Sequence, residues 1–329
     1  MTHMKKILIS IIIIAALTLG AYIYSFFSKS KDMIYGVSFN PEYASYLGFE
    51  PKLILKTMLD EWRFKYIRLT AQWDRIEKIE GEYDFSELDW QMDEAALRGA
   101  KVLVALGRKT PRWPECHLPE WAKDRPYENY KRQLLNYMSV AVNRYKNHPA
   151  LEVWQVENEP FLAFGLCRPI SKVDLQDEIN TVRRADNSHP IMVTDSGELS
   201  FWTKTARAGD LFGTTMYRVV WNPLIGYFKY FWLSPFVYKA KLWLNGRALE
   251  QSYIVELQGE PWMPDKSVYD TPLQIQARSM SLKQLEKNLR YAERTGMPRA
   301  YLWGGEWWYW LASKGHREIV DYILTVRKE

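Results

Sequence analysis

The sequence predicts an α/β protein, namely a (β/α)₈ or TIM barrel preceded by an N-terminal transmembrane helix. Strand-like apolar runs alternate with helix-like runs along most of the 329 residues, and eight such units can be counted. A barrel of this kind routinely exceeds about 250 residues as one domain, so the length fits. Neither usual glycine pattern of a phosphate-binding loop is present, which disfavours a doubly wound sheet.

The N-terminal segment has the length and composition of a membrane span. Residues 7–27 carry no charged side chain, and a helix of about 21 residues extends about 31 Å, the thickness of a bilayer core. Lys5 and Lys6 precede the run and favour a cytoplasmic N-terminus with the remainder exported, although Lys29 and Lys31 follow it. We expect an uncleaved anchor facing a periplasmic or extracellular space, with secretion after signal cleavage as the alternative.

The remaining chain divides into a linker and one barrel domain. The predicted organisation is a cytoplasmic segment at 1–6, the anchor at 7–27, a linker at 28–33 and the barrel at 34–329. The predicted strands are apolar runs bounded by turn residues: Ile34–Asn40, Tyr66–Thr70, Lys101–Gly107, Leu151–Val156, Ile191–Thr194, Leu211–Tyr217, Ser252–Glu256 and Ala300–Gly304. Helical periodicity is clear in four stretches: Ser86–Arg98, Tyr127–Tyr145, Leu273–Arg294 and Gly315–Val326.

One segment is longer than a minimal barrel needs. Arg218–Glu250 is rich in aromatic residues interleaved with lysines. We interpret it as the sixth helix with an enlarged loop. Its aromatic side chains form either a substrate wall, a surface that rests on the bilayer, or additional packing around the helix.

Composition excludes some classes of protein and suggests one kind of ligand. With 47% hydrophobic residues the chain can bury enough surface to fold, so intrinsic disorder is excluded. The net charge of +5, from 44 basic and 39 acidic residues, is too weak to indicate nucleic acid binding. The 15 tryptophans indicate either a tryptophan-rich core or a carbohydrate ligand, because sugar rings stack on aromatic faces.

The cysteines and histidines argue for a disulfide and against a metal. Cys116 and Cys167 follow the third and fourth predicted strands, so their loops leave the same face of the barrel from neighbouring strands. Export would permit oxidation, and we expect these two residues to form a disulfide. The five histidines show no H-x-H or H-E-x-x-H pattern, and no Cys-x-x-Cys occurs, so no metal or other cofactor is expected.

Two carboxylates end strands on opposite sides of the predicted barrel. The fourth strand runs into Glu159 and the seventh into Glu256. In a (β/α)₈ barrel the active site lies at the carboxyl ends of the strands. Glycoside hydrolysis needs such a pair, one acid to protonate the leaving oxygen and one carboxylate to attack or to activate water.

Several motifs together resemble the clan A glycoside hydrolases, which are retaining (β/α)₈ enzymes. The two that bear the carboxylates are Asn158-Glu159-Pro160 and Val255-Glu256-Leu257. The others, in chain order, are Tyr66-Ile67-Arg68-Leu69, Gly81-Glu82-Tyr83-Asp84-Phe85-Ser86, Thr110-Pro111-Arg112-Trp113, Met216-Tyr217 and Trp303. Within the clan, the resemblance is to the cellulase-like family 5 or to the β-galactosidase-like branches.

The resemblance implies roles for individual residues. Glu159 is implied to be the general acid/base and Glu256 the nucleophile. Asn158 would bond the 2-hydroxyl of the sugar, and Trp303 would lie beneath the ring. Arg68 and Tyr217 would hold the Glu256 carboxylate ionised and oriented, since a nearby cation lowers the pKa of an acid.

Other residues near the predicted barrel mouth are compatible with more than one role. Glu157 is either a catalytic-face acid or a supporting acid of the barrel interior, and Glu260 competes with Glu256 as the nucleophile. By position, Glu306 could bind a sugar hydroxyl and Trp307 could stack on substrate, together with Trp308 and Trp310.

The sequence therefore predicts a retaining glycosidase that acts on a β-linked oligosaccharide, polysaccharide or glycoconjugate. The predicted partners are this carbohydrate and, through the N-terminal helix, the membrane; no protein partner is implied. Two alternatives use the same scaffold, a transglycosylase and a catalytically silent carbohydrate-binding barrel.

Overall fold

The computed structural model describes residues 2–27, 32–167, 169–264 and 267–326. Most of the predicted linker, including Lys29 and Lys31, lies outside the described residues. The strands are β1 (Ile34–Ser38), β2 (Tyr66–Gln72), β3 (Lys101–Gly107), β4 (Leu151–Val156), β5 (Ile191–Asp195), β6 (Leu211–Met216), β7 (Val219–Asn222), β8 (Gly226–Lys229), β9 (Ser252–Gln258) and β10 (Arg299–Trp303).

Within the described residues, eight of these strands close into a parallel barrel. The order around the barrel is β1-β10-β9-β6-β5-β4-β3-β2, and each of these pairings is parallel. The exceptions are β7 and β8, which form a separate antiparallel hairpin. The predicted (β/α)₈ barrel is confirmed, and its strand bounds agree with the sequence prediction to within two residues at each end.

Helices surround the barrel and occupy several of its connections. Their bounds are α1 (Thr2–Phe27), α2 (Pro41–Tyr46), α3 (Pro51–Lys56), α4 (Trp73–Ile76), α5 (Ser86–Leu97), α6 (Tyr127–Tyr145), α7 (Lys172–Ala185), α8 (Pro235–Leu244), α9 (Leu273–Gln276), α10 (Leu282–Thr295), α11 (Gly305–Ser313) and α12 (Glu318–Val326). The short turns are a π-helix at Thr57–Glu61 and 3₁₀ turns at Glu120–Ala122 and Leu249–Gln251.

The apolar core has an inner and an outer part, as the alternation of strand side chains requires. The inner part fills the barrel with Leu103, Val153, Met192, Val255 and Tyr301. The outer part lies between strands and helices and is much larger. These side chains close the barrel interior, and an active site in this fold is expected at the carboxyl ends of the strands.

The outer helices form where apolar residues recur at helical spacing. On α6 the buried residues include Tyr130, Leu134, Tyr137, Met138 and Ala141, which repeat three or four positions apart and face the barrel. The predicted bounds of this helix are confirmed.

Several helical regions differ from the sequence prediction. The single helix expected at Leu273–Arg294 is two helices, α9 and α10, because the Ser281 side chain accepts from the backbone N–H of Gln284 and starts a new helix. The last helix begins at Glu318, after Gly315 takes a left-handed φ of 90°. Helix α7, which carries a capping box between Ser171 and Asp174, was not predicted.

The aromatic segment Arg218–Glu250 contains the predicted sixth helix, α8. The enlarged loop before this helix is the β7–β8 hairpin. Tyr238 and Leu242 of α8 are buried against the barrel, whereas Trp243 and Leu244 are 78% and 72% exposed. The segment therefore combines core packing with an exposed apolar surface.

Helix α1 contains a candidate membrane span at Lys5–Ser25. None of the most apolar part of this helix is buried against the rest of the chain. Only its last turns pack, against α8 and α10, and Ser25 is the buried residue there. By length and composition the helix is compatible with a signal anchor or a signal peptide.

Candidate active site

Glu256 lies on β9, and both of its carboxylate oxygens are hydrogen-bonded. Nη1 of Arg68 on β2 donates to Oε1 over 2.8 Å, and the hydroxyl of Tyr217, just after β6, donates to Oε2 over 2.9 Å. Glu256 is 4% exposed and Arg68 is 1% exposed, so the ion pair is shielded from solvent. Burial, then the negative charge of Glu256, raises the pKa of Tyr217, which keeps its hydroxyl protonated as a donor. The arrangement holds a carboxylate in one orientation at the barrel mouth.

Glu159 follows β4 and is held by residues of the next two strands, β5 and β6. Its Oε1 accepts from the hydroxyl of Thr215 over 3.0 Å, and its backbone N–H donates to Thr194 over 2.9 Å. Its φ of 45° lies in the left-handed region, an uncommon conformation for a non-glycine residue that here directs the side chain at a strand end. Burial, then the like charges of Glu115 and Glu256, raises the pKa of Glu159 well above its usual range. Glu159 is therefore suited to carry a proton near neutral pH.

Arg68 connects the two carboxylate sites. Its Nη2 donates to Oδ1 of Asn158 over 2.9 Å, and its Nε donates to Gln155 over 2.9 Å. The Nδ2 group of Asn158 is buried and makes no hydrogen bond within the described residues. Buried donors rarely lack a partner, so this amide is available to a hydroxyl of a substrate.

A cleft of about 490 Å³ opens at the carboxyl ends of the strands. Its wall includes three of the predicted residues, Tyr217, Glu256 and Trp303, whereas Glu159, Arg68 and Asn158 are not among the residues that line it. The remaining wall is rich in aromatic and acidic side chains: Glu42, Tyr43, Tyr46, Trp113, Glu115, Phe164, Glu260 and Trp262. A groove of this size and composition fits a sugar better than an anion.

The competing acid Glu260 belongs to a second ion pair in the cleft. Nη1 of Arg112 donates to Oε1 of Glu260 over 3.1 Å. The guanidinium of Arg112 lies 3.7 Å from the ring centroid of Tyr43 and 4.4 Å from that of Trp303. Glu260 lies in the loop beyond β9, while Glu256 lies within the strand. Position thus favours Glu256 as the nucleophile, although both acids line the cleft.

Two residues predicted to bind substrate are placed elsewhere. Trp307 on α11 is 2% exposed, packs in the core and donates its indole N–H to Gln276, so its ring does not line the cleft. Trp308 and Trp310 are buried as well. The sequence did not show that α11 follows β10 directly and turns these rings into the protein.

Glu306 is also buried, with 1% exposure, and does not line the cleft. Its Oε1 accepts from the backbone N–H of Asn40 over 2.6 Å, and its Oε2 lies 3.9 Å from Arg112. Burial raises the pKa of Glu306 to about 7. In the structure Glu306 therefore contacts Asn40 and Arg112, which line the cleft, and does not line it itself.

The uncertain acid Glu157 is a supporting residue. Its two oxygens accept from the backbone N–H groups of Arg108 and Lys109, each over 2.9 Å. It is 1% exposed and ties the end of β4 to the loop after β3. These contacts support the interpretation of Glu157 as a supporting acid, placed at the strand ends rather than inside the barrel.

Glu115 is a cleft residue that the sequence analysis missed. It lines the cleft, is 7% exposed and lies 3.6 Å from Nζ of Lys109. Burial, then the charge of Glu256, raises the pKa of Glu115 to about 7. The only sequence signal was its position beside Cys116 in the loop after the third strand.

The predicted disulfide is present between Cys116 and Cys167, whose Cα atoms lie 4.8 Å apart. It joins the loops after β3 and β4. Cys116 neighbours Glu115, and Cys167 lies in the loop that follows Glu159, so the bridge braces the acid/base side of the cleft.

Replacing both Cys116 and Cys167 by Ala should lower the free energy of unfolding by about 4 kcal/mol in the chain-entropy account, because the bridge spans 51 residues. Denaturant unfolding of the two proteins measures the difference. A reductant should destabilise the parent and leave the double variant unchanged. Two titratable thiols in unfolded, unreduced protein from an oxidising compartment would contradict the bridge.

Part of the chain matches known enzymes in sequence. A family profile described as beta-galactosidase, of glycoside hydrolase family 42, matches residues 55–167. A beta-galactosidase from an Arthrobacter species is 37% identical over 107 aligned positions, and the match covers 26% of this chain and 15% of that enzyme. A second Arthrobacter beta-galactosidase is 33% identical over 102 residues, and the match again covers only 15% of that enzyme's length. The chain resembles the clan A glycoside hydrolases. The resemblance predicted from the motifs is thereby confirmed, and the matched segment contains Arg68 and Glu159.

Solved structures show the same fold. A family 5 glycoside hydrolase from Streptomyces cattleya, in complex with GlcNAc, aligns with a TM-score of 0.56 at 12% identity, over 84% of this chain and 71% of that one. A beta-galactosidase from Halorubrum lacusprofundi aligns with a TM-score of 0.56 at 14% identity, and the alignment covers 82% of this chain and 52% of that one. A family 10 glycoside hydrolase from Paenibacillus barcinonensis aligns with a TM-score of 0.55 at 17% identity, and the alignment covers 83% of this chain and 84% of that one.

Proposed function

We propose that this chain is a retaining glycoside hydrolase with Glu256 as nucleophile and Glu159 as general acid/base. The observation that carries the proposal is the pairing of both Glu256 oxygens with Arg68 and Tyr217 at the wall of the cleft. The clan A resemblance and the partial beta-galactosidase match support the same reaction class. A β-linked oligosaccharide, polysaccharide or glycoconjugate is the proposed substrate.

The two acids divide the work of the reaction. In the first step Glu159 gives its proton to the glycosidic oxygen while a carboxylate oxygen of Glu256 attacks the anomeric carbon, so the leaving sugar departs as an alcohol. In the second step the ionised Glu159 takes a proton from water, which displaces Glu256 from the same carbon. Because its pKa is raised, Glu159 carries the proton that the first step needs. The ion pair with Arg68 holds the Glu256 carboxylate in position for attack.

Transfer to a sugar acceptor is the alternative outcome of the same second step. The aromatic wall of the cleft, with Trp113, Phe164 and Trp262, offers ring faces on which an acceptor sugar can stack. Hydrolysis and transfer therefore share Glu159 and Glu256 and differ in what attacks the intermediate. The products of a reaction run at high sugar concentration distinguish them.

A panel of aryl β-glycosides and β-linked polysaccharides, offered to the full-length protein in detergent, tests the proposal. Release of aryl alcohol or reducing ends from at least one substrate is expected. The matched control is the Glu256→Gln variant, which keeps the shape of the side chain and loses its charge. Sugar binding without turnover across the panel would instead identify the silent carbohydrate-binding barrel.

We further propose that α1 is retained as an anchor, with the barrel outside the cytoplasm. The full-length protein should stay in the membrane fraction after a high-salt wash, because salt screens charges and does not displace a buried apolar helix. Fractionation followed by N-terminal sequencing measures this. A soluble product that begins near Lys29 would show a cleaved signal peptide.

A further inference from the structure

We propose that the aromatic loop at residues 228–232 is a second membrane contact, which rests on the phospholipid surface beside the helix α1. This inference rests on the proposed anchoring of α1 and is independent of the proposed catalytic activity. It concerns the part of the long aromatic segment that does not pack into the core.

The loop is a compact aromatic cluster rather than a set of separate side chains. The rings of Phe228 and Trp232 lie 5.0 Å apart, those of Phe231 and Trp232 lie 5.0 Å apart, and Tyr230 contacts both Phe228 and Trp232. Nevertheless Phe231 is 76% exposed and Trp232 is 42% exposed. A packed cluster that leaves large apolar faces in water is typical of an interaction surface.

The backbone of the loop is held in place, so this exposure is built into the fold. Nη2 of Arg218 donates to the carbonyl of Tyr230 over 2.5 Å and to that of Leu233 over 3.2 Å. The hydroxyl of Tyr291 on α10 donates to the carbonyl of Leu233 over 2.7 Å. The guanidinium of Arg218 also lies 3.9 Å from the ring centroid of Tyr291. These contacts fix the chain on both sides of Phe231 and Trp232.

The contact between this cluster and helix α1 indicates which partner covers the cluster. The hydroxyl of Tyr22 on α1 donates a hydrogen bond to the carbonyl oxygen of Trp232. Tyr22 lies near the C-terminal end of the candidate span, and the span up to that point is unburied. When α1 spans a bilayer, Tyr22 is at the membrane–water interface, and the bonded Trp232 must lie at the same depth.

The chemistry of the loop suits that depth. Tryptophan and tyrosine are enriched at the interface because a ring can sit among the acyl chains while its polar edge stays wet. Lys229 is exposed beside the cluster and can reach lipid phosphates. If α1 spans a bilayer, the phospholipid surface is present at the depth where the cluster lies, and we therefore assign it as the partner.

The contact would orient the barrel as well as strengthen its attachment. Arg218 directly follows Tyr217, whose hydroxyl holds Glu256, and the same arginine fixes the aromatic loop. A single helix leaves a domain free to swing on its linker, whereas two contacts hold it in one pose. The carboxyl end of β6 would then be kept next to the bilayer.

Spin labels on the full-length protein in nanodiscs of phosphatidylcholine and phosphatidylglycerol test this contact. The variant Phe231→Cys is compared with Leu97→Cys on α5, an apolar position with a similar exposure of 79% on a distant part of the barrel. The native cysteines are joined to each other and do not react with the label. We expect several-fold lower access of a water-soluble nickel reagent, and higher access of oxygen, at position 231 than at position 97.

Each other outcome overturns the proposal in a distinguishable way. Equal access at both positions, with the protein still held by the discs, would place the loop in water. Protection of position 231 from both nickel and oxygen would indicate a protein partner. Recovery of the chain outside the discs would remove both the anchor and the contact while leaving the glycosidase proposal intact. Trp232→Cys provides a second probe should Phe231→Cys lower the melting temperature.

Discussion

Replacing Glu256 by Gln is expected to reduce kcat/KM by about 10⁴-fold or more, since removal of a covalent nucleophile has effects of this order. The amide keeps the size of the side chain but cannot form the glycosyl ester or the charged pair with Arg68. Binding of the sugar should persist, because the ring faces of the cleft are unchanged. Initial rates and equilibrium binding, measured on the same substrate, separate the two effects.

The matched control is Glu260→Gln, which removes the charge of the competing acid in the loop just after β9. Glu260 is paired with Arg112 and lines the cleft, so its loss should affect KM more than the chemical step. Adding azide to Glu256→Ala should restore turnover and yield a glycosyl azide of inverted configuration. An active Glu256→Gln together with an inactive Glu260→Gln would exchange the two roles.

Replacing Glu159 by Ala is expected to slow substrates with poor leaving groups by about 10²–10⁴-fold, the usual contribution of general acid catalysis. Aryl glycosides with acidic leaving groups should be affected far less in the first step, because such groups depart without a proton. The measurement is kcat/KM for a series of aryl glycosides of increasing leaving-group pKa. Equal losses across the series would contradict the role of Glu159 as the proton donor.

The pH profile provides an independent check on the same residue. Burial and the charges of Glu115 and Glu256 raise the pKa of Glu159, so the acid is protonated below that raised pKa and ionised above it. For a poor leaving group, kcat/KM should therefore fall as the pH rises through the raised pKa, and this fall should vanish in Glu159→Gln. Glu115→Gln removes one like charge, so the fall should move to lower pH.

The barrel and its two central acids could be predicted because they depend on local signals. Parallel strands buried on both sides appear in the sequence as short, continuous apolar runs. The ends of these runs therefore predicted the ends of the strands to within two residues. A residue at the end of such a run must lie at the barrel mouth, which placed Glu159 and Glu256 without further information. The same topology brought the loops of Cys116 and Cys167 together.

The placements that the sequence did not predict depend on contacts that no local pattern encodes. Trp307 follows a strand end just as the acids do, but α11 begins at once and buries its ring. Glu306 accepts a hydrogen bond from Asn40, which is 266 residues away in the sequence. Glu115 lines the cleft from the loop after β3, where its own backbone φ is 57°. Strand ends therefore locate a site, while the direction of each side chain depends on which helix or loop follows.

Covalent trapping tests the central claim most directly. A 2-deoxy-2-fluoro glycoside of the sugar selected by the substrate panel, carrying an activated dinitrophenyl leaving group, should inactivate the protein with a 1:1 mass increase. The fluorine slows both steps, and the good leaving group keeps the first step faster than the second, so the glycosyl-enzyme accumulates. Peptide mapping should place the label on Glu256, and a competing substrate should protect against it. A label on Glu260, or turnover of the parent substrate with inversion at the anomeric carbon, would contradict the account.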